Sequence, residues 1–139
     1  MDSEIIGAGI IVFRKFKNGV RFLGLKGPKE IRKDRKGIWD FPKGTREKNE
    51  NIWVCAQRET MEEAGLFFLK SDVLAGPYIH SGCAIYLVET DSDPIISPNP
   101  ISGLFEHEGF EWLSIEEIHR DCYEWLRPFT AWAKQYLGL

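Results

Sequence analysis

Two apolar-rich runs open the chain, "EIIGAGIIVFRKF" at residues 4–16 and "VRFLGLKG" at residues 20–27. Both are β-rich, and Lys17-Asn18-Gly19 between them carries the Asn-Gly signal of a tight hairpin. "GIWDFPKG", residues 37–44, reads as a short strand entering a loop. The period then changes, because Ile52, Cys55, Ala56, Glu59 and Glu63 recur at three- and four-residue steps. Asn49 is placed to cap this helix, its body runs to about Ala64, and Gly65 supplies a left-handed stop. Residues 72–81 and 82–91 read as two more strands. Residues 92–103 hold three prolines and form an irregular connection. "FEHEGFEWLS", residues 105–114, alternates toward a strand, and Ser114 caps a short helix at 115–120. An amphipathic helix over 121–137 closes the chain, with Pro128 marking a break or a first turn. Strands and helices that neither alternate strictly nor segregate predict an α/β fold, a mixed β-sheet between helices.

The helical stripe has an unusual continuation. Glu59, Glu62 and Glu63 share one face, with Cβ atoms roughly 5–6 Å apart. A solvated face with Arg58 and Glu62 as an i,i+4 pair is the ordinary explanation. It fits poorly, because Glu59 and Glu63 lie on the side that Ile52 and Ala56 commit to the interior. An isolated charge costs several kcal/mol to bury, and crowded acids raise one another's pKa. A hard divalent ion such as Mg²⁺, which prefers carboxylate and water oxygens, resolves both difficulties.

Composition narrows the setting. A chain of 139 residues and 16.0 kDa fits one domain over residues 1–139. A net charge of −3 offers no basic field for nucleic acid or an anionic membrane. The local cluster "KEIRKDRK", residues 29–36, is bracketed by Gly27-Pro28 and Gly37 and reads as a solvated loop. Cys55, Cys83 and Cys122 are odd in number and lack CxxC spacing, which predicts reduced thiols and a cytoplasmic setting. "MDSE" has no basic lead into an apolar run, so no signal peptide is expected. The longest apolar-rich run, residues 5–13, is too short for a bilayer. A monomer is expected.

Gly44, Glu50 and Arg58-Glu59-Thr60-Met61-Glu62-Glu63-Ala64-Gly65-Leu66 together resemble the Nudix box, G-x5-E-x7-R-E-U-x-E-E-x-G-U. Thr60 departs from the aliphatic position and leaves every charged position intact. The resemblance implies the Nudix α/β/α sandwich and hydrolysis of a nucleoside diphosphate linked to another group, assisted by Mg²⁺ or Mn²⁺. It also implies Glu59, Glu62 and Glu63 as metal ligands, with Lys43 lending a backbone carbonyl just before the box glycine. Arg58 would orient the acids, and Glu50 would support Arg58.

"LFEHEGFEWLSIEEI", residues 104–118, is similar to the stretch after the box in dinucleoside tetraphosphate hydrolases, as are "FPKG" and "GAGIIVFRK". That similarity implies Glu106 as a further metal ligand or general base, His107 as a phosphate contact and Phe110 as a nucleobase-stacking ring. Lys43 fits a phosphate-binding charge, and Tyr78 and His80 join the expected substrate-binding positions. That subfamily often carries a tyrosine where Cys83 stands here, with Tyr78 and Tyr86 to either side. The expected reaction is asymmetric cleavage of diadenosine tetraphosphate to ATP and AMP. Other substrates stay open: a nucleoside triphosphate, an mRNA cap, which "WDFPKGTREKNEN" also suits, or a diphosphoinositol polyphosphate. The last would rely on Arg32, Lys33, Arg35 and Lys36. A non-catalytic nucleotide-binding module is the rival from another class, although that usually goes with a damaged box.

Overall fold

The computed structural model describes residues 4–139; Met1, Asp2 and Ser3, where no signal peptide was expected, lie outside the described residues. Strand β1 (Gly7–Phe16) and strand β2 (Gly19–Lys26) form the expected hairpin, paired from Phe13↔Phe22 to Phe16↔Gly19. Beyond that stretch the two strands part. β2 turns to β3 (Trp39–Asp40), while the start of β1 pairs with β4 (Lys43–Thr45). Residues 39–45 thus fill the gap as a wedge, pinned where the Ile10 N–H donates to the Pro42 carbonyl at 3.0 Å.

On its other edge β1 runs parallel to β6 (Cys83–Glu89), which pairs antiparallel with β5 (Val73–His80). β7 (Phe110–Leu113) closes the outer side of β2. Among the described residues these seven strands make one mixed sheet. Alternation along the strands divides two apolar layers. Ala8, Ile10 and Val12 join Ala84, Tyr86 and Val88 beneath α2 (Ile52–Ala64). Ile11 and Phe13 join Ile85 and Leu87 against α3 (Ile115–Asp121) and α4 (Arg127–Leu137). Each large apolar side chain buried there contributes about 1.5–3 kcal/mol. The architecture is the expected α/β/α sandwich.

Several boundaries differ from the sequence reading, each for a local reason. Residues Lys29–Arg35 form a short helix, α1, rather than a loop. Pro28 stands at its N-cap, Glu30 lies in the first turn and basic residues fill the last, which suits the helix dipole. The helix buries no residue, so no apolar stripe announced it. Asn51, not Asn49, caps α2: its Oδ1 accepts the N–H groups of Trp53 and Val54 at 2.9 and 3.2 Å. Asn49 sits in the preceding turn with φ of 61°. Gly65 closes α2 at φ of 66°, as expected. In the 105–114 stretch only Phe110–Leu113 pairs as strand. The last helix begins at Arg127 after a 3-10 turn at Glu124–Leu126, so Pro128 marks a first turn.

Cys55, Cys83 and Cys122 are free and buried. Burial lifts their thiols to about 12, 11 and 11 respectively. Among the described residues no helix is long and apolar enough to cross a membrane.

Candidate active site

The wedge brings β4 under α2, and the two elements meet at Gly44. A Cβ there would collide with the carboxylate of Glu59. Glycine leaves room for the Glu59 carboxylate to lie against the backbone, and a larger residue would push that carboxylate aside. Above this contact Arg58 organises the helix face. Its Nε and Nη2 donate to the two Glu50 oxygens at 2.8 and 2.9 Å, a bidentate fork. Its Nη1 donates to Glu59 at 2.9 Å and reaches Glu62 at 3.5 Å, and Nη2 also donates to the Thr45 carbonyl. The fork holds the Glu50 carboxyl far down, at about 2.

Glu63, one turn further, is buried at 8 % exposure. Its carboxylate accepts the Lys43 backbone N–H at 3.3 Å. Burial pushes it well above the usual carboxylate range, and repulsion from Asp40 and Glu59 adds to this against the pull of Lys43. Burial likewise raises Glu59, opposed by the Arg58 guanidinium. Glu63 therefore stands short of positive charge, whereas Glu59 is ion-paired with Arg58 at 2.9 Å.

The nearest cation is already engaged. Lys43 Nζ lies 3.0 Å from Asp40, whose other oxygen is 3.0 Å from His107 Nε2. Burial alone would raise Asp40, but Lys43 and His107 outweigh it and hold the carboxyl below its ordinary value. Burial would lower Lys43, and Asp40 reverses that. Asp40, Glu63 and His107 form a group whose ligating atoms all lie within 4.8 Å of one another. Among the described residues the box acids alone do not converge so tightly, because Glu62 stays at the rim with Arg58.

A cleft of about 470 Å³ opens over this ground, lined by Asp40, Lys43, Glu59, Glu63, Glu106 and His107 together with Ile31, Arg35 and Tyr123. Glu106 thus arrives from outside the box, steadied by the Asn99 side-chain amide at 2.9 Å. The other expected residues are engaged within the protein. His107 is nearly buried, and its Nε2 is committed to Asp40 rather than offered to a phosphate. Phe110 pairs within the sheet and packs on the α2-side core. Tyr78 stacks on Trp132 at 5.3 Å, and His80 meets the edge of Phe129. None of Phe110, Tyr78 and His80 lines the cleft. Asp40 and Arg35 were not singled out as individual site residues in the sequence, although an aspartate inside "IWDF" and the basic cluster were visible signals.

A family model described as NUDIX domain matches residues 5–133. The chain belongs to the Nudix family. Its fold resembles the C. elegans Ap4A hydrolase in a binary complex, with TM-score 0.67 and 21% identity over 96% of this chain and 98% of that one. It is comparably close to the MutT protein from Methanosarcina mazei Go1, at TM-score 0.65 and 19% identity over 97% and 96%. The NUDIX domain of Shewanella oneidensis NrtR, complexed with ADP ribose, gives TM-score 0.65 and 11% identity over 96% and 88%. At such identities the likeness establishes a shared Nudix fold. A comparison with curated proteins gave no match.

Proposed function

We propose that this Nudix domain is a divalent-metal-dependent hydrolase of dinucleoside polyphosphates, cutting diadenosine tetraphosphate asymmetrically into ATP and AMP. The observation that carries the reading is the meeting of Glu106 with Glu59 and Glu63 in one cleft that Lys43 and Arg35 also line. The donor set suits Mg²⁺, with Mn²⁺ able to substitute. Glu63 is a buried oxygen donor whose charge nearby groups leave unbalanced, and Glu59, half-buried and paired with Arg58, lies beside it. Asp40 has its own cation and histidine already, so Glu63 is the member of that tight group with most need of an ion. Glu59, Glu62 and Glu63, with the Lys43 carbonyl, would hold the metal. When bound, such an ion neutralises phosphate charge and lowers the pKa of water.

The chain's own groups do the rest. Arg58 fixes Glu59 through a fork anchored on Glu50. Glu106 stands in the cleft as the general base for an attacking water. Lys43, locked by Asp40, keeps its charge beside the phosphates. Positioning and charge stabilisation are most of what phosphoryl chemistry needs.

The likeness to the C. elegans Ap4A hydrolase supports this substrate, while the comparable likeness to the MutT protein leaves other Nudix substrates, a nucleoside triphosphate among them, as the second reading. A diphosphoinositol polyphosphate suits the cleft less well. Arg32 is tied to Glu108 and the Gly27 carbonyl, Lys36 pairs with Glu124, and of the four cations such a substrate would rely on, only Arg35 lines the cleft. The test is hydrolysis of a nucleotide panel with Mg²⁺ in ¹⁸O-labelled water, with both products weighed by mass spectrometry. ATP and AMP from the tetraphosphate are expected, with label in AMP marking attack at the nucleoside-proximal phosphorus. Two ADP molecules, or no turnover beside rapid cleavage of capped RNA or an inositol pyrophosphate, would sink the assignment.

A further inference from the structure

The cleft over the box does not stop at β4. A second one, about 330 Å³, adjoins it across Arg35, Lys43, Gly44 and Thr45, and is lined further by Ile6, Gly7, Ser81, Cys83 and Trp125. The two differ sharply in charge. The first carries Asp40, Glu59, Glu63 and Glu106, whereas the second has no acid among its lining residues and shares both cations.

Arg35 stands at the junction, exposed at the end of α1, with its guanidinium 6.0 Å from the centre of the Tyr123 ring. Among the described residues it has no carboxylate partner, unlike Arg32 and Lys36 of the same cluster. Two buried polar groups without a hydrogen-bond partner belong to residues that line the two clefts: the Tyr123 hydroxyl, packed against Gly27, in the first and the Trp125 Nε1–H in the second. Buried polar groups are nearly always satisfied, so two orphans on one path call for a ligand that accepts hydrogen bonds. Lys43 Nζ, held by Asp40, lies 5.3 Å from the centre of the Trp125 ring and carries fixed positive charge along the same path.

The geometry points to a second anion subsite. Arg35, together with the Tyr123 hydroxyl and the Trp125 indole N–H, takes the phosphates remote from the box carboxylates and so selects long phosphate chains over a simple bridging pyrophosphate. Arginine suits this task because its planar fork matches phosphate oxygens two at a time. The inference rests on the polyphosphate reading above for its substrate, though not for the binding of phosphate itself.

Steady-state kinetics on diadenosine di-, tri-, tetra- and pentaphosphate, with Mg²⁺, compare the native protein with Arg35→Ala and Arg35→Lys. Losing a charge-assisted contact corresponds to roughly a ten-fold or larger rise in KM for the tetraphosphate. kcat should stay within about two-fold. KM for the diphosphate should not move, and Arg35→Lys should recover part of the loss. A change equal at every chain length, or none, overturns the subsite. Calorimetric titration with inorganic tripolyphosphate and inorganic pyrophosphate separates the two claims. Arg35→Ala and Trp125→Phe should weaken tripolyphosphate and spare pyrophosphate. Native protein that binds tripolyphosphate through Arg35 but cleaves no dinucleoside polyphosphate keeps the subsite and removes the proposed reaction. Tetraphosphate cleavage that Arg35→Ala leaves intact keeps the reaction and removes the subsite.

Discussion

At the scale of single residues, Glu63 occupies the least favourable place for a carboxylate on α2, 8 % exposed and facing Asp40. Glu63→Gln keeps the shape and removes the charge. Activity should fall on the order of 10³-fold, the loss expected when a metal ligand goes. The melting temperature in chelator should stay the same or rise, because a buried charge has been removed. Excess Mg²⁺ should then stabilise the native protein, by about 2.7 kcal/mol at a hundred times Kd, and leave the variant unmoved. Near-normal turnover of the variant at saturating Mg²⁺ would take the metal away from this helix face. Arg58→Lys keeps charge and loses the fork to Glu50, so kcat should drop while KM holds. A raised KM alone would instead make Arg58 a substrate contact. Glu59, Glu62 and Glu63 were legible in the sequence because helical spacing gathers them on one face. The Arg58–Glu50 pair was implied only by the resemblance to the Nudix box. Asp40 was not legible, because its partner His107 lies 67 residues away.

Among the elements, α2 shows what local chemistry decides. Asn51→Ala removes the acceptor for two N–H groups and should cost about 1 kcal/mol, read as a lower urea midpoint. Asn49→Gly should leave the midpoint almost unchanged, since glycine tolerates that residue's left-handed backbone. The reverse result would restore Asn49 as the cap. Two asparagines two positions apart both satisfy the spacing for a cap, and the side-chain hydrogen bonds and φ angles of the fold separate them. The strands were readable from apolar patterning, whereas α1 was not, because a helix with no buried residue has no stripe to read. Its anchor is distant: Arg32 bonds Glu108, in the loop before β7.

For the whole molecule, acid stability is set partly by the Glu50–Arg58 fork. Glu50 falls from an ordinary 4.5 to about 2 in the fold. The unfolded chain therefore binds the proton first, so this stabilisation is complete above about 4.5 and fades as pH falls toward 2. Urea midpoints should drop between pH 5 and pH 3 in the native protein, and Glu50→Gln should flatten that limb. An equal drop in both proteins would assign the loss to other carboxylates, such as Asp40. The sandwich itself was legible from the order of strands and helices. The parting of β1 and β2 was not, since a hairpin signal says nothing about where its strands separate.

That parting also constrains how the chain reaches its native state. The β1–β2 hairpin is local and such units form within microseconds, but β1 must also find β6, with Gly7 opposite Cys83. Trp39 to Thr45 can enter only a gap that both strands leave open. The floor of the cleft is thus completed by the step that completes the sheet. In stopped-flow refolding, the part of the fluorescence change that Trp39→Phe removes and the recovery of tripolyphosphate binding should share one rate constant. A lag in binding would mean that the wedge docks on a sheet already made; without one, the chain has no folded form that lacks its cleft.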